Sequence, residues 1–162
     1  MEESLTKDNC MDKISCNQAK PEGIAILNKA ANGSTDDPYM MNGLTLAYIG
    51  DAVFEIMVRQ HMLSTGSRQV DKLHKHTISL VNAGSQSAMI MHVMEMLTER
   101  ELAVYKRGRN SSTVTSAKHQ SVNDYRRATG LEALFGYLYL NKEYERLKEL
   151  FDECMNAAAE KQ

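Results

Sequence analysis

The sequence predicts an all-α domain, and three observations carry that prediction. Apolar residues recur at helical spacing in one segment after another between about residue 42 and residue 159. One of these segments opens with a capping box, Thr98-Glu99-Arg100-Glu101. No stretch carries a convincing strand alternation or hairpin turn. With 162 residues, 43% of them hydrophobic, the chain is long enough for one domain with a core of its own.

Residues 1–38 read as a flexible acidic tail. They hold two turn-rich stretches, Lys20-Pro21-Glu22-Gly23 and 32–38, with a short helical segment, Ile24–Ala31, between them. The domain proper is assigned to 39–160. Its first helix, about Asn42 to Ser64, is apolar nearly all round, which suits burial on several sides, and Gly66 ends it. The second, about Arg68 to Leu80, follows Ser67 as N-cap. The third, about Val81 to Met96, places Val81, Ala88, Met91 and residues 94–97 on roughly one side. The fourth starts at the capping box and runs to about Arg107, leaving a polar loop from Gly108 to Ser116. The fifth begins near Ser116 and continues to Leu140, where Asn141 terminates it. The last, about Lys142 to Ala159, carries Tyr144, Leu147, Leu150, Phe151 and Met155 near helical spacing.

Charge is distributed unevenly over this frame. The net value is −2, which alone argues against a general polyanion binder. Yet residues 1–40 hold 4 Lys/Arg against 7 Asp/Glu, residues 41–140 hold 11 against 8, and residues 141–162 hold 4 against 6. The middle is mildly basic and both ends are acidic. Cys10, Cys16 and Cys154 form no metal-like spacing and read as reduced thiols, and the 11 methionines read as core filler. No apolar run is fit to span a bilayer, and the acidic N-terminus lacks the apolar stretch of a signal peptide, so the expected location is cytoplasmic, with no membrane partner.

Two carboxylates stand out because of where they sit. Asp51 interrupts the apolar run Leu44–Leu63, and Glu132 interrupts Gly130–Leu140. A carboxylate in such surroundings must pair, hydrogen-bond, take up a proton or meet a metal. Brought together from two core helices, the pair makes a hard oxygen site suited to Mg2+ and to the phosphate oxygens Mg2+ favours. The alternative is structural, with Asp51 capping or pairing with Arg59, Arg126 or Arg127. Glu55, one turn beyond Asp51, is read as a structural hydrogen-bonding group. Between the two acidic segments lies a basic stretch, Tyr105–Gly130, with Lys106, Arg107, Arg109, Lys118, Arg126 and Arg127 against the single acid Asp124. Cations flanking a polar loop suit a phosphate backbone, and Lys106, Arg107, Arg109, Lys118 and Arg126 are the expected phosphate and sugar contacts. The histidines are too scattered to act as co-ligands, and the segment Lys106–Asn110 lacks the spacing of a phosphate loop.

Two motifs resemble a known family. Leu46–Val58 resembles the signature helix of ribonuclease III, and Thr129–Leu140 resembles its second acidic segment. With Lys106–Asn110 and Tyr125–Leu140 alongside these motifs, and no following RNA-binding domain expected, the chain resembles the Mini-ribonuclease III branch over about residues 38–155. The resemblance implies a homodimeric, all-helical ribonuclease III-type endonuclease bundle. It implies a Mg2+-dependent endoribonuclease that cleaves double-stranded RNA and matures the ends of the large-subunit (23S) ribosomal RNA precursor. By motif position Asp51 and Glu132 are the catalytic metal ligands. Full-length ribonuclease III has a Glu where this chain has Ala47 and an Asp where it has Thr129, so the ligand set is thinner here, as in the Mini branch. In a homodimer, Tyr48, Phe54 and Met57 are expected to pack against the same helix of the second copy. Two other readings compete. One is a non-catalytic dimeric RNA-binding or ribosome-associated module of the same fold. The other is a helical interaction protein whose two acids only make salt bridges.

Overall fold

The computed structural model describes residues 37–64, 66, 69–111 and 121–160. The predicted tail up to residue 36, residues 112–120 of the polar loop with Lys118, and Cys10 and Cys16 lie outside them. A 3-10 turn at Pro38–Met40 leads into α1 (Gly43–Ser64), α2 (Val70–Val81), α3 (Ala83–Val93), a second 3-10 turn at Met94–Met96, α4 (Glu99–Ser111), α5 (Val122–Leu140) and α6 (Tyr144–Ala159). The described residues contain no strand, and none of their helices is long and apolar enough to cross a membrane.

The architecture follows from α5. Every residue from Ala128 to Leu138 is buried except Glu132. A helix apolar on all sides must be covered on all sides, and α1, α3, α4 and α6 do the covering. Phe54 of α1 meets Phe135 of α5 edge to face at 5.2 Å and Phe151 of α6 at 6.0 Å, which ties three helices at one aromatic cluster. Phe54 therefore belongs to the core of its own chain, and Met57 packs against that core, instead of both facing a partner as the sequence suggested. Only one stripe of α1 is buried: Leu46, Ala47, Gly50, Val53, Phe54 and Val58. Its opposite stripe, Leu44, Tyr48, Ala52 and Ile56 at four-residue spacing, is open, and Tyr48 is 84% exposed.

Two glycines set the crossing of α1 and α5. A Cβ on Gly50 would lie 1.7 Å from the Glu132 carbonyl oxygen, and one on Gly136 would lie 2.1 Å from the Leu46 carbonyl oxygen. The two backbones touch, which only residues without a side chain permit. Gly108 acts in a similar way. The sequence suggested that it ended the fourth helix, but α4 continues through Ser111, because Gly108 is where α4 leans on Ala133 and Thr129 of α5. Close approach, not a turn, explains that glycine.

The helix ends are chemically defined. The Thr98 N–H donates to Glu101 Oε2 (2.8 Å) and the Glu101 N–H donates to Thr98 Oγ1 (3.3 Å), the predicted capping box. Glu101 is buried and also receives Arg146 Nε (2.8 Å) from α6, and together with this guanidinium the Thr98 groups hold its carboxyl below the usual range against the cost of burial. Asn82 both ends α2 and caps α3, its Oδ1 accepting from the Ser85 N–H at 3.0 Å, so the single predicted start near Val81 resolves into a sharp joint. Ser121 caps α5. Cys154 is a fully buried free thiol, pushed up to about 12 by that burial, and serves the core.

Candidate active site

Asp51 and Glu132 line one cleft. Its walls are Leu44, Ala47, Tyr48, Ile49, Asp51 and Ala52 from α1 and Tyr125, Thr129 and Glu132 from α5, around a volume of about 540 Å³. The Gly50–Glu132 backbone contact is what delivers Asp51, the next residue, to this place. The positions where the sequence departs from full-length ribonuclease III, Ala47 and Thr129, face the same cleft. Thr129 is engaged elsewhere, its Oγ1 donating to the Tyr125 carbonyl at 3.0 Å.

The Asp51 charge acts on Glu132. Burial, then the Asp51 charge, pushes Glu132 up to about 7. Asp51 is also raised, first by burial and then by Glu55. Among the described residues neither acid pairs with an arginine. Glu55 instead takes Arg59, whose Nε donates to its Oε1 at 2.9 Å. Two carboxylates at the rim of one open cleft, without a counter-charge among the described residues, form a donor set that fits a hard divalent cation. They carry oxygen only, and no group of three His, Cys, Asp or Glu converges among the described residues.

One neighbour was not legible in the sequence. Gln86 on α3 is 1% exposed, and its Nε2 is sealed from solvent with no aligned hydrogen-bond partner among the described residues. It lies close enough to the Glu132 carboxylate to draw its pKa down slightly. A lone amide in the segment Gly84–Ser87 has no periodic signature that would single it out.

The basic stretch divides in two. Arg109 and Arg126 converge on a second cleft with Asn110, Asn123 and Arg127, of about 480 Å³. Arg126 and Glu132 are on one helix, six residues and so roughly 9 Å of rise apart. Arg127 and Asn123 were not among the expected contacts, although both lie within the stretch that held them. Lys106 is exposed on α4. Arg107 turns instead toward Tyr39, its guanidinium 5.2 Å from the ring, with Nε and Nη2 buried and unpartnered among the described residues. Lys118 lies outside the described residues.

Comparison with known proteins agrees with these features. Residues 44–143 match the Ribonuclease III domain family. The chain is similar to the Mini-ribonuclease 3 of Clostridium tetani, 50% identical over 121 residues that cover 74% of this chain and 80% of the relative. It is 43% identical to the Mini-ribonuclease 3 of Enterococcus faecalis over 126 residues, 76% of this chain and 96% of that one. Among solved structures, a Fusobacterium nucleatum protein superposes with a TM-score of 0.69 at 31% identity, covering 76% of this chain and 99% of its own.

Proposed function

This chain belongs to the ribonuclease III family, in its Mini-ribonuclease III branch, and is an endoribonuclease; on that premise we propose that it hydrolyses double-stranded RNA with Mg2+ held by Asp51 and Glu132. The observation that carries this reading is the pair itself: two acids from the two helices that cross backbone to backbone, sharing one open cleft and paired with no arginine among the described residues. Bound there, the cation supplies Lewis-acid neutralisation of the scissile phosphate and lowers the pKa of the attacking water. The chain's own residues do the rest. Asp51 and Glu132 fix the position of the charge, Glu132 from a helix that cannot shift without disturbing the core. Arg109, Arg126 and Arg127 grip phosphates beside it, and Asn110 and Asn123 offer both donors and acceptors to sugar hydroxyls. An A-form duplex presents a wide, shallow groove of hydroxyls and phosphates, so this surface recognises shape more than sequence. Lys106 extends the surface, while Arg107 supports Tyr39.

The substrate we assign is the large-subunit ribosomal RNA precursor, in keeping with the branch to which the relatives belong. The open stripe Leu44–Tyr48–Ala52–Ile56 suits a second copy in a two-fold dimer, whose two clefts would address the two strands. The test is cleavage of a structured duplex RNA by purified protein, with Mg2+ or with chelator, alongside Asp51→Asn and Glu132→Gln. Cutting that needs the cation and both acids supports the proposal. A wild type that never cuts, or variants that fold and cut normally, refutes it.

A further inference from the structure

Resting on the reading of Asp51 and Glu132 as cation ligands, we propose that Gln86 is a positioning residue, whose side-chain amide N–H, presented from α3, holds the Glu132 carboxylate in the orientation that meets a cation together with Asp51. Three observations support it. Gln86 is almost completely buried, and its Nε2 has no aligned partner among the described residues, a costly state that an apolar residue of the same size would avoid. The group it approaches is the one residue between Ala128 and Leu138 that is not fully buried. The next residue, Ser87, donates to Asp124 Oδ1 at 2.7 Å, and Asp124 is also held by the Ser121 hydroxyl (2.6 Å). Asp124 lies eight residues before Glu132 on α5, so α3 is fastened to α5 on the N-terminal side of the site and Gln86 is carried to the carboxylate by a fixed frame.

The unaligned amide is then a bond waiting to close. When Glu132 turns an oxygen toward a cation, its other oxygen can accept from Nε2. Outer-shell partners of this kind fix a ligand's orientation and typically change metal affinity by roughly 10–100-fold when lost.

The experiment compares wild type with Gln86→Met, which keeps the length and removes the donors. Mn2+ affinity is measured by electron paramagnetic resonance, and thermal unfolding is measured in chelator. Expected are an unchanged or higher melting temperature without metal and an Mn2+ affinity weaker by roughly tenfold or more. In the Glu132→Gln background the same change should leave the residual affinity unmoved, because Gln86 acts only through Glu132. Gln86→Asn, with the amide withdrawn by one methylene, should weaken binding while folding normally. Equal Mn2+ affinity in wild type and a folded Gln86→Met overturns the inference alone. So does a Gln86→Met chain that fails to fold, or an affinity loss of equal size in both backgrounds, since each assigns Gln86 to packing. A wild type that binds no Mn2+ overturns the inference together with the reading on which it rests.

Discussion

Replacing Gly50 by Ala tests whether the backbone contact of α1 with α5 creates the site. The added Cβ would sit 1.7 Å from the Glu132 carbonyl oxygen, half the 3.4 Å at which ordinary contact begins. It would also lie 2.6 Å from the Glu132 carbonyl carbon and 2.7 Å from the Gly136 nitrogen. All three are backbone atoms in a helix buried on all sides, so no side chain can swing aside. The helices must part by roughly 1.5 Å, against a close-packed interior that deforms little. Overpacking typically costs about 1–3 kcal/mol, and this contact, backbone on backbone at the centre of the bundle, belongs at or beyond the upper figure. For a domain of this size about 3 kcal/mol lowers the melting temperature by roughly 10 °C. The function should suffer more than the fold, because Asp51 and Glu132 flank the contact and a misplacement of about 1 Å can cost about 100-fold in rate. Thermal unfolding followed by circular dichroism, and single-turnover cleavage of a duplex RNA at a temperature where the variant is folded, measure the two effects. A Gly50→Ala protein with wild-type melting and wild-type cleavage would refute both the crossing and its role in pairing the acids.

Neutralising either acid should abolish cleavage, yet in the absence of metal Glu132→Gln should raise stability, since it removes a desolvated carboxylate repelled by Asp51; a clear loss of stability would instead show a salt bridge. The sign of the pH dependence follows. Folded Glu132 keeps its proton up to about 7 while the unfolded chain releases it near 4.5, so metal-free stability should fall as pH rises through that window, by up to the order of 3 kcal/mol, and denaturant unfolding of Glu132→Gln should lack that slope. Arg109→Ala and Arg126→Ala should each reduce the salt dependence of RNA affinity by roughly 0.9 in log–log slope per lost phosphate contact, whereas Arg107→Ala should act mainly on melting temperature; equal slopes for all three would place the RNA elsewhere. Tyr48→Glu should leave the protomer's fold intact, because the side chain is 84% exposed, and should dissociate the proposed dimer in sedimentation velocity.

The helices were legible wherever periodicity and capping chemistry coincide. The capping box at Thr98 and the stop at Asn141 are visible because each needs particular atoms at particular offsets. Gly108 misled because glycine has two uses, turning a chain and letting helices touch, and only the partner helix tells which applies. Phe54 misled for a related reason. An apolar run shows that a helix has much to bury but not which residues its own chain can cover, and α5 and α6 reach Phe54 while leaving Tyr48 open. The acids were legible as anomalies in apolar surroundings. Gln86 was not, because an amide among small polar residues is unremarkable until burial removes the water that would have satisfied it.

Helix α1 has two faces with different surroundings. The face of Leu46, Gly50, Phe54 and Val58 is fixed by contact with α5, which makes the position of Asp51 a property of the core. The face of Leu44, Tyr48, Ala52 and Ile56 is free, and three of these four residues also line the cleft that holds Asp51 and Glu132. A second copy seated on that stripe would therefore form part of the cleft's wall. Association and ligand geometry would be coupled through one rigid helix, so Tyr48→Glu should weaken Mn2+ affinity as well as self-association, and a monomer with undiminished affinity would show that each cleft is complete within its own protomer.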